Sequence, residues 1–206
     1  MRNEQTRNDP ARPKVDLDKF LHVQPTAAHR AIAKLVREGL VKTVLTQNVD
    51  NLHRRSGVPR ANLAELHGNL QCERCEACGT EYERDYRIGP NGQQQHYTGR
   101  QCDKCAGWLK DYLVPFGEDL PESETSKAWT ESDLADFCLV LGSSMTVTPA
   151  CDYAGWVAQR WDKPKGKLVI VNIQKTPYDR DAAVVIHGFC DEVMEKVMHE
   201  LGLDLE

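Results

Sequence analysis

Four cysteines in the middle of the chain have the spacing of a zinc site. They form two Cys-x-x-Cys pairs, Cys75/Cys78 and Cys102/Cys105, which are separated by 23 residues. Each pair offers two thiolates from one tight turn, and two such turns complete the tetrahedral shell of structural zinc. We therefore predict that these four residues hold one structural zinc ion.

Cys72 gives the first turn a second way to pair, because Cys72 and Cys75 also form a Cys-x-x-Cys pair. Glycine follows Cys78 directly and follows Cys105 at the second position, where it lets the backbone turn toward the sulfurs. This arrangement favours Cys75 and Cys78 as ligands and leaves Cys72 as a spare thiol. An iron–sulfur cluster is the weaker alternative, since the run lacks the fourth nearby cysteine and the proline of that motif.

His67 lies five residues before Cys72 and is surplus to a zinc ion that already has four thiolates. An ion with a full shell has no open position for a catalytic water. The imidazole therefore needs an explanation of its own. It is either a structural histidine or a general base, since an imidazole gains and loses a proton near neutral pH.

The composition indicates a globular protein of one domain with a small insertion: 40% of its 206 residues are hydrophobic and 28% are charged. No apolar run reaches the roughly 18 residues of a membrane span, and the first residues lack the apolar core of a signal peptide. The net charge of −5 argues against broad nucleic-acid binding. Eight cysteines without a secretory signal indicate a reducing compartment, and Cys138, Cys151 and Cys190 are expected to be inert core residues.

Helices and apolar strands alternate on both sides of the cysteines. Helices are predicted at 25–39, 122–134, 149–161 and 191–202, and strands at 41–47, 136–144, 167–173 and 182–188. Near-continuous Val, Ile and Leu strands that alternate with helices predict an α/β fold with a parallel sheet covered on both faces.

Three parts of the chain differ in character. Residues 1–20 are polar, contain two prolines, and are expected to form a flexible arm. Residues 21–67 and 113–206 carry the helices and strands of the α/β domain. Residues 68–112 combine cysteines, charges, glycines and glutamines with little periodicity, so we predict a zinc-binding insertion there.

Small or polar groups follow the carboxyl end of each predicted strand. They are TQNVDN after the first strand, GSS after the second, Asn172 after the third and Gly188-Phe189-Cys190 after the fourth. Ligands of open α/β sheets bind at this edge. The pattern favours a ligand site there, although loops are polar in most proteins.

Several motifs, in their order along the chain, resemble those of the sirtuins, the NAD-dependent protein deacylases. They are TQNVDNLHRRSG at 46–57, ELHGN at 65–69, the two Cys-x-x-Cys pairs, VPFGE at 114–118, LGSSMTVTPA at 141–150 and LVIVN at 168–172. The tail NIQKTPYDRDAAVVIHGFCDEVM resembles the class IV, largely nuclear branch. The resemblance covers roughly residues 20–203.

This resemblance implies a Rossmann-like NAD domain that carries a small zinc ribbon, with an acyl-lysine peptide bound between them. It implies deacylation of protein lysines with NAD+ as co-substrate, release of nicotinamide and O-acyl-ADP-ribose, and His67 as general base on a ribose hydroxyl. Histones and chromatin are the implied partners, without membrane association. The implied location is nuclear or cytoplasmic, and the branch favours the nucleus.

The resemblance also implies roles for further residues. Gln47, Asn48 and Asp50 match the ribose and nicotinamide pocket, although Asn48 and Asp50 also suit a polar turn after a strand. The remaining cofactor positions match Gly142, Ser143 and Ser144 beside the ribose and phosphates, Asn172 at the adenosine ribose, and Cys190, whose backbone meets the adenine.

Three residues of VPFGE match the family's substrate-binding segment. Val114, Phe116 and Gly117, here called the substrate strip, match positions that pair with the peptide as an added strand. Taken alone, VPFGE also fits an ordinary loop. His53 falls within another family motif and is expected to be structural.

The chain departs from the family pattern near its start. Sirtuins carry a GAGxS loop and a DFR segment around the NAD phosphates and the nicotinamide, whereas this chain has no glycine before Gly39 and neither motif in residues 1–20. Backbone amides of such loops bind pyrophosphate. We therefore expect an N-terminally incomplete sheet, weak NAD binding and low activity of this chain alone. Two alternatives to deacylation are protein mono-ADP-ribosyl transfer and a non-catalytic, zinc-containing binding module.

Overall fold

The computed structural model describes residues 21–88, 96–115 and 117–205, so the predicted arm at 1–20 lies outside the described residues. The helices are α1 (Ala27–Arg37), α2 (Leu52–Arg55), α3 (Glu122–Leu134), α4 (Ala150–Gln159) and α5 (Cys190–Glu200). The strands are β1 (Val44–Thr46), β2 (Leu63–Glu65), β3 (Gly68–Cys75), β4 (Glu81–Glu83), β5 (Tyr97–Gln101), β6 (Trp108–Leu113), β7 (Phe137–Leu141), β8 (Lys167–Val171) and β9 (Val184–Ile186). None of the helices in these ranges combines the length and the hydropathy of a membrane-spanning segment.

The predicted α/β class with parallel strands is confirmed. Strands β7, β8 and β9 form a parallel sheet in that order, and β1 pairs in parallel with β2. Within the described residues these strands therefore form two parallel sheets, where the sequence predicted one. All four predicted strands are present but shorter, and β2 is a strand that the sequence did not predict.

Helices cover both faces of the sheet β7-β8-β9. On one face, α1 packs against α5 through Leu35, Met194 and Met198, and Leu139 of β7 joins this cluster. On the other face, Val140, the next residue of β7, packs with Leu168, Ile170 and residues of α4. Successive side chains of a strand point to opposite faces, so β7 contributes to two separate cores. This is the two-sided burial that its continuous apolar run predicts.

In the segment predicted to be an insertion, four strands form an antiparallel sheet in the order β4-β3-β6-β5. Its longest strand, β3, is almost entirely buried although it contains Asn69, Gln71 and Glu73. Each of these side chains has a polar partner, such as the Gln71 amide, which donates to the carbonyl of Arg84 at 3.0 Å. The strands β3–β6 were not predicted, because their burial depends on such pairings and not on an apolar pattern.

A network of five buried or half-buried charges connects the insertion to the α/β part. Arg60 donates to Glu81 of β4 at 2.9 Å and to Glu124 of α3 at 2.6 Å. Arg54 donates to Glu81 at 3.0 Å and also pairs with Glu65 of β2. The two guanidinium groups thus offset three carboxylates that burial alone would disfavour.

Candidate functional site

His67 lies in the turn between the parallel strand β2 and the antiparallel strand β3. The next residue, Gly68, has a φ of +78°, and a Cβ there would come within 1.8 Å of the carbonyl oxygen of Tyr112 in β6. Glycine is therefore required for β3 to leave the turn against β6. Before the turn, the N–H of Leu66 donates to the carbonyl of Thr46 at 3.0 Å. His67 is consequently held between the end of β1 and the start of the insertion.

The imidazole of His67 faces the carboxyl end of β1. Its Nδ1 lies 3.2 Å from the carbonyl oxygen of Gln47. A carbonyl oxygen only accepts hydrogen bonds, so Nδ1 carries the proton of the neutral ring and Nε2 is its basic nitrogen. This tautomer suits a general base, because Nε2 makes no hydrogen bond within the described ranges.

The loop after β1 holds three of the predicted residues. The backbone N–H of Asn48 donates to Thr46 Oγ1 at 3.1 Å, and Asp50 Oδ1 accepts from the N–H of Leu52 at the start of α2. These contacts are those of a polar turn, which is compatible with a binding role. The amide nitrogen of Gln47 is buried and has no partner among the described residues. Since an unpaired buried donor costs about 1–3 kcal/mol, this nitrogen is a candidate for ligand contact.

Gly142, Ser143 and Ser144 follow β7. Gly142 has a φ of +65°, and its N–H donates to the carbonyl of Val171 at 2.9 Å. The Ser143 hydroxyl oxygen accepts from the N–H of Met145 at 3.2 Å, and the exposed Ser144 hydroxyl lies 2.9 Å from that of Thr146. A backbone without a side chain and two hydroxyls therefore lie at the carboxyl edge of the sheet.

Asn172 and Cys190 meet this edge from β8 and α5. Asn172 is 8% exposed, and its side-chain amide donates to the carbonyl of Gln174 at 3.0 Å. Cys190 begins α5, and a Cβ on Gly142 would lie 3.4 Å from its sulfur. Gly142, Asn172 and Cys190 are thus close together.

The predicted cofactor residues form two groups. Gln47, Asn48 and Asp50 lie with His67 at the end of β1, whereas the group around Gly142 lies at the ends of β7 and β8. No hydrogen bond joins the two groups in the part of the chain that the structure describes. Both groups nevertheless occupy the carboxyl ends of parallel strands, where ligands of such sheets bind.

The substrate strip begins directly beside His67. The N–H of Val114 donates to the carbonyl of His67 at 3.1 Å, and Val114 is half-buried. Gly117 is exposed with a φ of +96°. Phe116 lies outside the described residues. The backbone of His67 is therefore in contact with one end of the strip, while its ring contacts the loop after β1.

The four cysteines of the two Cys-x-x-Cys pairs come together in the insertion. Their sulfur atoms all lie within 4.8 Å of one another, with 3.5 Å between Cys75 and Cys105 and 3.6 Å between Cys78 and Cys102. Four thiolates at the Zn–S distance of about 2.3 Å in a tetrahedron are separated by about 3.8 Å. The cluster therefore fits one four-coordinate zinc ion.

The other cysteines lie outside this cluster. Cys72 is fully buried, and burial raises the pKa of its thiol to about 12. Burial likewise raises the pKa of Cys138 to about 11 and raises the pKa values of Cys151 and Cys190. The sulfurs of these four residues lie outside the group of sulfurs within 4.8 Å of one another, and neutral thiols are poor nucleophiles, so these residues are suited to packing.

Two polar residues of the ELHGN motif, to which the sequence assigned no role, flank His67. Glu65 lies two residues before it, and the Asn69 amide, two residues after it, donates to Glu65 at 2.7 Å. The Glu65 carboxylate also accepts hydrogen bonds from Nε and from a terminal nitrogen of the Arg54 guanidinium group. A buried glutamate is recognisable in a sequence only when its cation is known, and Arg54 lies 11 residues away. These contacts position the turn that carries His67.

Comparisons of the sequence with known proteins identify the family of this chain. The profile of the Sir2 family matches residues 2–149 of the chain. The chain belongs to the Sir2 family. It is 42% identical over 195 residues to the NAD-dependent protein deacetylase SRT1 of Arabidopsis thaliana, and 41% identical over 188 residues to the NAD-dependent protein deacetylase sirtuin-7 of Homo sapiens. These alignments cover 94% and 88% of this chain, which spans 40% and 47% of the lengths of the two relatives.

Solved Sir2 structures share the fold of this chain. A Sir2 protein bound to an acetylated peptide aligns with 90% of the chain at a TM-score of 0.70 and 33% identity, and the alignment covers 74% of that protein. A complex of a Sir2 homologue with NAD aligns with 90% of the chain at a TM-score of 0.71 and 34% identity, covering 68% of that protein. The mixed α/β fold with its cysteine cluster is therefore the Sir2 fold.

Proposed function

We propose that this Sir2 family chain catalyses NAD-dependent deacylation of protein lysines, with release of nicotinamide and O-acyl-ADP-ribose. One observation carries this proposal. His67 contacts the loop after β1 through its ring and the substrate strip through its backbone carbonyl, at 3.2 Å and 3.1 Å. A base in this position is in reach of both a cofactor at the sheet edge and a peptide on the strip. Relatives named as NAD-dependent protein deacetylases support the reaction class.

His67 is the proposed general base. NAD, when bound, supplies a ribose whose bond to nicotinamide breaks and whose hydroxyls react with the acyl group. Nε2 of His67 accepts a proton from one of these hydroxyls, while the Nδ1–H bond to the Gln47 carbonyl keeps the ring in the required tautomer and orientation. The partial negative charge of that carbonyl also stabilises the imidazolium that forms.

Residues at the sheet edge are proposed to hold NAD. The amide nitrogen of Gln47, which is buried and has no partner in the described part of the chain, supports a ligand beside the loop after β1, where Asn48 and Asp50 would line the ribose and nicotinamide pocket. The second group would bind the other half of the cofactor. Its members are Gly142, Ser143 and Ser144 at the phosphates and ribose, Asn172 at the adenosine ribose, and the backbone of Cys190 at the adenine.

The proposed substrate is an acylated lysine in an extended protein segment. Val114, Phe116 and Gly117 would pair with it as an added strand, which gives affinity through backbone hydrogen bonds and little sequence preference. The Sir2 protein bound to an acetylated peptide supports this class of substrate. A histone substrate, chromatin association and a nuclear location are the finer proposal, which rests on the resemblance of the tail at 172–194 to the class IV branch.

One zinc ion on Cys75, Cys78, Cys102 and Cys105 completes the proposal. Four thiolates leave the ion no position for water or substrate, so its role is structural. It would hold together the two turns that flank the antiparallel sheet of the insertion.

The test is a turnover assay on the zinc-loaded chain. We expect NAD and an acetyl-lysine peptide to yield free nicotinamide by chromatography and deacetylated peptide by mass spectrometry. His67→Gln should reduce turnover at least 100-fold, the usual contribution of a general base. His199→Gln is the matched control, since that ring is 86% exposed on α5. ADP-ribose attached to protein without loss of acetyl groups would instead identify a transferase.

A further inference from the structure

His96 connects the insertion to the residue that follows the substrate strip. Its Nδ1 lies 3.1 Å from Asp111 Oδ1 in β6, and its Nε2 lies 3.0 Å from both carboxylate oxygens of Glu118. Its backbone carbonyl also accepts from the N–H of Asp111 at 2.9 Å. His96 is thus tied twice to β6 and once to Glu118.

Only a protonated ring satisfies both of these contacts. Carboxylate oxygens accept hydrogen bonds, and a neutral imidazole has one N–H to donate, whereas an imidazolium has two. Burial lowers the pKa of His96, but hydrogen bonds to Glu118 and Asp111 and the charges of these carboxylates outweigh burial and raise the pKa above its usual value. The contact with Glu118 is therefore present at low pH and is lost as the pH rises through this raised value.

The groups that face the ring come from two elements. Asp111 of β6 is 2% exposed in its side chain, and Glu118 in the loop after the strip is 50% exposed. Lys110, the neighbour of Asp111, instead lies 4.7 Å from the Tyr97 ring and 3.2 Å from Glu76. In the part of the chain that the structure describes, the two carboxylates are the charges in contact with His96.

The strip therefore has a fixed point at each end. Val114 is bonded to the carbonyl of His67, and Glu118, directly after Gly117, is bonded to His96. Gly117 is exposed, with a φ of +96° and no atom within 4 Å of the place of a Cβ, so local packing contributes little to its geometry. The N–H of Glu118 donates to the carbonyl of Pro115 at 3.2 Å, which closes a turn within this segment, and the His96–Glu118 contact joins that turn to β6.

We propose that His96 is a positioning residue for the substrate strip: its protonated ring joins Glu118 to Asp111 and so fixes the Gly117 end of the strip against β6. This inference rests on the proposed function, because it concerns the affinity for an acyl-lysine peptide. If the Gly117 end is already held, less conformational freedom is lost there when a peptide pairs beside it, and the peptide binds more tightly. The proposal predicts tighter peptide binding at low pH.

The test measures peptide binding without turnover, so that the proposed catalytic role of His67 does not affect the readout. A fluorescent acetyl-lysine peptide is titrated into the full chain without NAD, at pH values from 6 to 8.5. We expect the affinity to fall about 3-fold as the pH rises, the size expected of one partly exposed charge pair. Glu118→Gln should bind the peptide at every pH with the weak affinity that the unchanged chain shows at high pH. His199→Gln should behave as the unchanged chain. A pH dependence equal in the unchanged chain and in Glu118→Gln would overturn the proposal.

A second measurement separates this inference from the proposed function. NMR titration of the His96 ring, in chain labelled at histidine, should show a pKa that falls toward the usual value in Glu118→Gln. Faster amide exchange at Gly117 should accompany that fall. These readouts need no substrate, so the absence of peptide binding in all variants would count against the proposed function alone. A His96 pKa that is unchanged in Glu118→Gln would refute the positioning role.

Discussion

The backbone carbonyl of His67 accepts a hydrogen bond of 3.1 Å from the N–H of Val114. The proposed base and the first residue of the substrate strip are therefore joined by a main-chain hydrogen bond, so a displacement of one is expected to displace the other. The same residue uses its ring to contact Gln47. Small displacements of this turn should affect catalysis strongly, because a shift of about 1 Å in a reacting group costs roughly 100-fold in rate.

Gly68→Ala should disrupt this turn. A methyl group at residue 68 meets the carbonyl oxygen of Tyr112 at 1.8 Å and has to adopt a φ of +78°. We expect a loss of about 3 kcal/mol or more in the free energy of unfolding, measured by urea denaturation. Gly57→Ala is the matched control, because Gly57 has a φ of +95° and nothing within 4 Å. Equal losses in the two variants would show that the Tyr112 overlap is unimportant.

Cysteine substitutions should identify the zinc ligands. Cys105→Ser leaves three thiolates, and we expect elemental analysis to show much less than one zinc ion per chain, with a lower midpoint of thermal unfolding. Cys72→Ala should keep one zinc ion, since Cys72 lies outside the cluster of four sulfurs. Loss of zinc from Cys72→Ala would mean that the first turn uses Cys72 in place of Cys78.

Glu124→Gln should reduce stability in a pH-dependent manner. Burial raises the pKa of Glu124, but hydrogen bonds and the charge of Arg60 outweigh burial and hold this pKa below its usual value. A carboxyl with a lowered pKa stabilises the fold above its usual pKa, and this contribution disappears as the pH falls through the lowered value. We expect the free energy of unfolding to fall by about 3 kcal/mol at pH 7, and this difference from the unchanged chain to become smaller below about pH 4. Urea denaturation at several pH values measures it.

Glu122→Gln provides the comparison for this effect. Glu122 is exposed in the same first turn of α3, so it shares the helix dipole but not the contact with Arg60. Its substitution should change the free energy of unfolding by less than about 1 kcal/mol. If both variants lost the same stability at every pH, the buried network would not be the cause.

Asn172→Ala should weaken NAD binding. Asn172 is 8% exposed at the carboxyl end of β8, and its proposed contact is the adenosine ribose. Loss of one or two hydrogen bonds corresponds to about a 10-fold increase in the Kd, which calorimetric titration measures. Gln174→Ala is the control, because the residue is exposed and Asn172 contacts only its backbone carbonyl. An unchanged Kd in Asn172→Ala would place the adenosine elsewhere.

The sequence predicted the elements whose burial depends on apolar side chains. The helix α3 was predicted with the bounds that it has, and β7 and β8 were predicted from Val, Ile and Leu runs whose residues pack into the cores on the two faces of the sheet. The four metal-spaced cysteines come together as their spacing implied. Apolar periodicity and short-range turns are properties of neighbouring residues, so a single sequence contains them.

The remaining features depend on contacts between distant residues. The strand β2 has the sequence LAE, and its buried Glu65 is compatible with a strand only because Arg54 offsets the charge. The sequence likewise gave no reason to connect His96 with Glu118, which lie 22 residues apart. Such polar pairings carry no periodicity, and residues on several elements have to be placed before they become visible.

Gly68 begins β3 and Leu113 ends β6, and these two residues, which stand at the bounds of the predicted insertion, are partners in the register of the two strands. The entry and exit points of this segment are therefore neighbours in space. Because the two ends are adjacent, the segment between them can be replaced by that of a relative through two junctions, without an added linker. The replacing segment would have to supply a carboxylate that pairs with Arg54 and Arg60, as Glu81 does, and a hydrogen-bond partner for Glu118, as His96 does.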